Sequence, residues 1–182
     1  MKTLRTIGLV RALRYLLTPL IELAFGLCRY SPLRVALLKV AGARIGRSCV
    51  VHDVKFMNFY RGRFANLSLG DQCFIGDDVM IDLAGPIELG HQVTVSARSI
   101  LLSHLNVGYP DHPLQSRFPS QCKGISIGDG SFLGAGAIVV DGVKIGSRVF
   151  AAAGAVVSSD IDAGALVGGV PAKPLSGSAE VR

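Results

Sequence analysis

The sequence has no tryptophan, no CxxC pair and no long uncharged apolar run. A helix that spans a bilayer needs about 18 apolar residues, and Arg11, Arg14 and Glu22 interrupt the apolar N-terminal segment. The same two arginines fall inside any candidate signal peptide, so we expect a cytoplasmic protein. The cysteines are widely spaced, which predicts reduced thiols packed in the interior rather than a disulfide framework. These cysteines are Cys28, Cys49, Cys73 and Cys122.

Most of the chain has no excess of positive or negative residues, although the net charge of the whole chain is +6. Residues 1–40 carry seven basic residues and one acid, whereas residues 41–182 carry twelve residues of each sign. The basic character therefore describes the N-terminal segment alone. This distribution argues against nucleic acid as a partner.

Residues 1–40 are predicted to form a separate helical segment. Apolar residues recur at helical spacing, Pro19 is expected to end or kink the first helix near Leu17, and a second short helix is expected from Pro32 to Val40. One interpretation is a cap that packs on the first coils of the following domain. The other is a basic interfacial helix that contacts anionic lipid, and the two are compatible.

A period of six residues dominates the C-terminal half of the chain. Such a period fits neither a helix, with about 3.6 residues per turn, nor a half-buried strand, with a period of about 2. It is typical of a hexapeptide parallel β-helix. The apolar residues at this spacing are Ile127, Leu133, Val139, Ile145, Ala151 and Val157.

The repeat is predicted to fill residues 41–175, with roughly five coils of about 18 residues each. It begins at Ile45, and Val51 and Met57 are expected to keep the period. Residues 58–66 break the period, and a slip of two residues is expected at Ile87 to Gly90. New coils are expected to start at the similar segments 66–71, 86–91 and 124–129, and residues 176–182 are expected to be a disordered tail.

Residues 103–124 interrupt the repeat completely. This segment holds three of the eight prolines and two of the four histidines. A loop of this length is uncommon inside a compact repeat domain and is usually functional.

The repeats, the histidine-containing loop, the segment SIGDGSFLGAGAIVVDGVKIG and the closing GGVPAK together resemble the hexapeptide-repeat acyltransferases. The similarity covers residues 41–175 and is greatest to the maltose, galactoside and surface-polysaccharide O-acetyltransferases. It implies an all-β fold, a left-handed parallel β-helix with a short N-terminal α-helical segment and one long external loop. It also implies a homotrimer that binds acetyl-CoA in the groove between adjacent subunits.

The resemblance assigns the general base to His104, which stands where the chain leaves the coil for the loop. A neutral imidazole with a pKa near about 6.5 suits removal of a proton from a sugar hydroxyl at cytoplasmic pH. The rival is His112, since maltose-type enzymes carry a His-Pro-Leu sequence at the catalytic position and His112 begins one. Its distance from the coil favours a contact with the acceptor instead.

Three further features of the site follow from the resemblance. Asp82 is expected near the acceptor pocket, where it would either bind a sugar hydroxyl or orient His104. The pantetheine arm is expected against small residues, and a basic residue of the VPAK sequence is expected to face the nucleotide phosphates. The residues expected to bind acetyl-CoA are Gly134, Ala135, Ala152, Ala153 and Lys173.

The sequence therefore predicts an acetyl-CoA-dependent O-acetyltransferase that acts on a sugar or lipid-linked glycan precursor by direct transfer, without a metal. The same fold also serves N-acetyltransferases of amino sugars and serine acetyltransferases. A zinc enzyme of the γ-carbonic-anhydrase kind needs a pair of histidines four residues apart, whereas His104 and His112 are eight apart. A non-catalytic trimer is the remaining alternative.

Overall fold

The computed structural model describes residues 16, 19–21 and 23–175. Helical residues at 19–21 and 23–27 precede helix α1, which spans Ser31–Val40. Three parallel sheets of short strands then follow, and successive strands of the chain enter successive sheets. This order builds a three-sided β-helix, the left-handed hexapeptide-repeat fold that the sequence predicts.

The strands that form each side of the β-helix are short because each side presents only a few residues before the chain turns. The first side holds β1 (Arg44–Ile45), β4 (Leu67–Leu69), β7 (Ile87–Leu89), β12 (Ile125–Ile127) and β15 (Lys144–Ile145). The second holds β2 (Val50–Val51), β5 (Phe74–Ile75), β8 (Thr94–Val95), β13 (Phe132–Leu133), β16 (Phe150–Ala151), β18 (Leu166–Gly168) and the antiparallel β19 (Lys173–Pro174). The third holds β3 (Val54–Met57), β6 (Val79–Asp82), β9 (Ile100–Leu101), β14 (Ile138–Val139) and β17 (Val156–Val157).

The core consists of three columns of stacked side chains. Each side of the β-helix contributes one column, formed by the inward-facing residues of its successive strands. The six residues that carry the period all lie inside and are at most 3% exposed, as the sequence predicts. Burial of such aliphatic side chains contributes about 1.5–3 kcal/mol each and is the main force that holds the coils together. The columns are Ile45, Leu69, Leu89, Ile127, Ile145; Val51, Ile75, Val95, Leu133, Ala151, Val167; and Ile81, Leu101, Val139, Val157.

The predicted coil starts and the predicted slip are confirmed. Segments 66–71, 86–91 and 124–129 place strands β4, β7 and β12 side by side on the first sheet. Leu69 pairs with Leu89, twenty residues later, whereas Ile127 pairs with Ile145, eighteen residues later.

One position of the first coil differs from the prediction. Met57 pairs with Asp82, and Phe56 pairs with the core residue Ile81, so Phe56 rather than Met57 occupies the periodic position. The cause is a shorter corner between β2 and β3. Ile81 comes six positions after Ile75 in the next coil, whereas Phe56 comes only five positions after Val51. The following break in the period contains a short 3₁₀ helix, Phe64–Asn66.

Helix α1 caps the open end of the β-helix. Leu38 is fully buried, and the Ser31 hydroxyl accepts a hydrogen bond of 2.9 Å from the Val51 N–H. Arg34 is also buried, donates to the Cys28 and His52 carbonyl oxygens and lies 3.0 Å from Asp53. Capping is therefore observed for this helix, while the predicted end near Leu17 and the predicted tail at 176–182 lie outside the described residues.

The cysteines are all free, but they do not all lie in the interior. Cys28 and Cys73 are buried, and burial raises the pKa of Cys73 to about 11. Cys49 is half-buried. Cys122 is exposed, which corrects the expectation that every thiol is packed inside, because it lies on a hairpin that leaves the coils.

Candidate active site

The loop that interrupts the repeat leaves the coils as a hairpin, and His104 lies at its base. Strand β10 (His104–Leu105) pairs antiparallel with β11 (Gln121–Cys122), and His104 is directly opposite Cys122. The side chain of His104 is 21% exposed, so one edge of the ring remains accessible to solvent or substrate. This histidine comes three positions after Leu101, which anchors β9 in the core.

Asp82 lies one coil away at the end of β6 and binds His104. Its Oδ2 atom is 2.5 Å from Nδ1 of His104, and the carboxylate is completely buried. Burial raises the pKa of Asp82, but the hydrogen bonds from His104, Asn58 and the Ala84 N–H outweigh burial and lower it below its usual value. Asp82 is therefore ionised at neutral pH. Since an ionised carboxylate only accepts hydrogen bonds, Nδ1 of His104 carries a proton, and in the neutral form of the imidazole the free lone pair is on Nε2.

Protein donors surround both oxygens of this carboxylate. Oδ1 accepts from Asn58 Nδ2 at 2.8 Å and from the Ala84 N–H at 3.1 Å. Oδ2 accepts from the Ser103 N–H at 3.0 Å as well as from His104. These contacts occupy both oxygens of the buried carboxylate, so the geometry is compatible with the predicted orienting role and leaves no exposed oxygen for an acceptor.

Two residues of this arrangement, Asn58 and Ser103, were not predicted from the sequence. Asn58 follows β3 in a left-handed conformation with φ of +57°, a geometry that asparagine tolerates better than most residues. The Ser103 hydroxyl is buried and lies 2.7 Å from the Asp82 carbonyl oxygen, and it accepts from the Gly85 N–H at 2.7 Å. The available signals were the asparagine that opens the break at 58–66 and the serine that precedes His104.

The other histidines lie apart from this pair. His112 is exposed on the loop, and its Nδ1 accepts from the Leu114 N–H at 3.1 Å. Among the described residues, no hydrogen bond or ion pair joins His112 to His104 or Asp82. His52 pairs with Asp77 at 3.1 Å, and His91 accepts from the Asp71 N–H at 3.0 Å, both on the surface of the coils.

The residues expected to bind acetyl-CoA lie at one corner of the β-helix, except for Lys173. Gly134 is buried, and a Cβ atom there would lie 2.5 Å from the Ala153 nitrogen, so this glycine is needed for coil stacking. Ala135 and Ala153 are exposed, and Ala152 is half-buried. Lys173 is exposed on β19, opposite Gly168 of β18.

A surface cavity of about 460 Å³ lies along this corner. Ala135 lines it together with Ala97, Gly136, Arg98, Asp77 and Asp78, so small side chains, one cation and two carboxylates meet there. Within the described part of the chain, no group of three or more histidine, cysteine or acidic side chains is placed to hold a metal ion.

Comparison with known families identifies the repeat. Residues 66–101 and 124–159 match the model for the hexapeptide repeat of succinyl-transferase. Over 110 residues the chain is 32% identical to WcaF of Escherichia coli K12, provisionally assigned as a colanic acid biosynthesis acetyltransferase. This match covers 60% of the present chain, and the chain spans about half (55%) of the length of that relative.

Solved structures share the fold along most of the chain. The hexapeptide-repeat acetyltransferase VCA0836 of Vibrio cholerae is 27% identical, with a TM-score of 0.74 and 92% of each chain covered. The same protein has been solved with acetyl coenzyme A, with a TM-score of 0.71, 26% identity, and 85% of this chain and 81% of that chain covered. A galactoside acetyltransferase in complex with coenzyme A has a TM-score of 0.77 at 22% identity, covers 93% and 82% of the two chains, and shows the fold alone. These matches confirm the resemblance to the hexapeptide-repeat acyltransferases.

Proposed function

We propose that this hexapeptide-repeat β-helix is an acetyl-CoA-dependent O-acetyltransferase that acts on a hydroxyl of a sugar or surface-glycan precursor. The observation that carries the proposal is the contact between His104 and the buried, ionised Asp82 at the base of the hairpin. A fixed imidazole beside an accessible surface is the arrangement that a general base requires.

In the proposed reaction, Nε2 of His104 removes the proton from the acceptor hydroxyl as its oxygen attacks the thioester carbonyl. Asp82 stabilises the imidazolium that forms, because its charge lies 2.5 Å from Nδ1. The C–S bond then breaks, and the imidazolium returns the proton to the departing thiolate. The thioester is already activated, so the acetyl group passes directly to the acceptor and no covalent enzyme intermediate is needed.

The co-substrate is proposed to bind along the corner formed by Gly134, Ala135, Ala152 and Ala153. The small side chains let a pantetheine arm approach the backbone closely. The exposed ammonium group of Lys173 would attract the nucleotide phosphates. His112, exposed on the loop, is proposed to contact the acceptor.

We also infer that the protein forms a homotrimer with its sites between subunits, and that it works in the cytoplasm at the inner face of the cytoplasmic membrane. Light scattering of the purified protein is expected to give three times the chain mass of 19.1 kDa. A monomer at micromolar concentration contradicts this assembly.

The test of the proposed activity is release of free thiol from acetyl-CoA in the presence of a panel of sugars, amino sugars and serine. Thiol release with a sugar, and an acetyl ester on that sugar by mass spectrometry, are expected. Transfer to amines alone favours the N-acetyltransferase alternative. If no acceptor releases thiol and calorimetry detects no acetyl-CoA binding, the proposal fails.

A further inference from the structure

The helical residues before α1 present a row of exposed leucines. Leu16, Leu20, Leu23 and Leu27 are each 59–74% exposed. Their spacing of four, three and four residues places them along one face of a helix. Ile21 and Phe25, which lie between them in the sequence, pack against the core instead. We call these four leucines the leucine stripe.

Exposed apolar side chains are concentrated at this end of the molecule. Seven of the thirteen exposed large apolar side chains of the described residues lie between residues 16 and 40, although that stretch is a small part of the chain. Tyr30 and Leu33, which follow the leucine stripe in the sequence, are also exposed. A contiguous apolar surface of this kind marks an interaction site rather than ordinary surface composition.

The charge of the same segment indicates the nature of the partner. Arg34 is buried and paired with Asp53, so it is not available for a partner. Residues 1–40 still carry six other basic residues against the single acid Glu22, while the rest of the chain is neutral. Arg29 and Lys39 of this segment are exposed.

We propose that the leucine stripe and the basic residues of the same N-terminal segment bind the surface of an anionic lipid bilayer. The leucines would enter the interface while the cations contact lipid headgroups, which is the behaviour of a basic amphipathic helix. None of the described helices is long and apolar enough to cross a membrane. A second copy is the less favoured occupant, because pairing this face with itself would bring two basic segments together, whereas an anionic bilayer offers the opposite charge.

The proposal is tested by sedimentation of the full-length protein with vesicles. The vesicles contain phosphatidylcholine, either alone or with about a quarter phosphatidylglycerol, an anionic content that attracts basic segments. The protein is expected to bind the anionic vesicles at least tenfold more tightly, and high salt is expected to weaken binding strongly. Protein that remains in the supernatant with both kinds of vesicle overturns the proposal.

Variants then locate the surface. Replacement of Leu20, Leu23 and Leu27 by serine is expected to weaken binding to anionic vesicles at least tenfold. A matched control replaces Leu114 and Phe118, exposed apolar residues of the loop, by serine and is expected to bind like the wild type. Equal loss in both variants, or no loss in the leucine variant, contradicts the proposed surface.

A second measurement separates lipid from a protein partner. If the leucine stripe is an interface between copies, its serine variant changes the oligomeric state in light scattering without vesicles, and the proposal is overturned. Circular dichroism checks that the variant is folded. Lipid binding does not depend on the proposed acetyl transfer, so the variant is expected to retain thiol release from acetyl-CoA with a soluble acceptor.

Discussion

Nδ1 of His104 lies 2.5 Å from Oδ2 of Asp82, across neighbouring coils and twenty-two residues apart in the sequence. The aspartate belongs to a rigid strand of the core, while the histidine begins the hairpin that leaves it. The β-helix thus fixes the imidazole from its buried side and leaves the other ring nitrogen for an acceptor. This relationship supports the proposed base and leads to most of the predictions that follow.

Replacement of Asp82 by asparagine is expected to lower kcat by about 10²–10⁴. The amide can donate to Nδ1, which favours the tautomer that carries its proton on Nε2 and removes the base. The affinity for acetyl-CoA, measured by calorimetry, is expected to stay near the wild-type value. Asp71→Asn is the control, since Asp71 pairs with Arg47 on the coil surface. Equal kcat in wild type and Asp82→Asn contradicts the orienting role.

Asn58 is expected to act through Asp82. Asn58→Gly keeps the left-handed backbone, with φ of +57°, but removes the 2.8 Å hydrogen bond to Oδ1. A lost hydrogen bond of about 1 kcal/mol corresponds to roughly a fivefold lower kcat, and the KM for acetyl-CoA is expected to be unchanged. Asn66→Ala removes a similar bond to the Leu83 carbonyl without touching Asp82 and serves as the control. Equal effects of the two variants on kcat count against the role of Asn58.

Acid stability provides a test that does not require an acceptor. The pKa of Asp82 is lower in the folded protein than its unfolded value of about 3.9. Its ionised form therefore stabilises the fold fully above about pH 4, and this stability is lost as the pH falls through the folded pKa.

The measurement is the free energy of unfolding in urea at fixed protein concentration, for wild type and Asp82→Asn, between about pH 3 and pH 7. Below about pH 5, outside the range in which histidine titrates, the difference between the two proteins is expected to shrink as the pH falls, because the carboxyl binds its proton at a higher pH in the unfolded chain than in the folded one. A difference that grows on acidification between about pH 5 and pH 3 shows that the sign of the pKa shift is wrong.

The sequence predicts the structure best in the coils, where the same six-residue pattern is repeated. The period of six predicts which residues fill the core, and the similar segments 66–71, 86–91 and 124–129 predict the coil starts, because every coil buries its inward residues in the same way. The shift in register predicts the slip before Leu89. The error at Met57 arose where a single corner is one residue shorter, and periodicity carries no information about an isolated deletion. Cys122 was expected inside because cysteine is usually buried, but the hairpin carries it away from the coils.

The candidate site was only partly predictable for a related reason. The sequence indicates both Asp82 and His104 and allows either an orienting or an acceptor-binding role for the aspartate, but the contact between the two residues depends on how neighbouring coils align. The slip and the loop both alter that alignment, so the sequence alone does not predict the contact. Asn58 was missed because it stands in the break at 58–66, where the repeat gives no register.

The tight corner at Gly134 gives a prediction about stability. Gly134→Ala is expected to destabilise the protein by about 1–3 kcal/mol, because the added Cβ would lie 2.5 Å from the backbone nitrogen of Ala153. Gly136→Asn is the control, since a Cβ there meets nothing within 4 Å and asparagine tolerates its φ of +70°. Urea unfolding compares the two, and equal stability of Gly134→Ala and wild type contradicts the role of this glycine in coil stacking.

The central claim, that His104 is the base, is tested most directly by kcat for acetyl transfer in His104→Ala, measured beside calorimetric affinity for acetyl-CoA. We expect kcat to fall by at least about 10² while the affinity remains within about threefold of wild type, since the histidine is proposed to act on the acceptor. Wild-type kcat in this variant would contradict the claim.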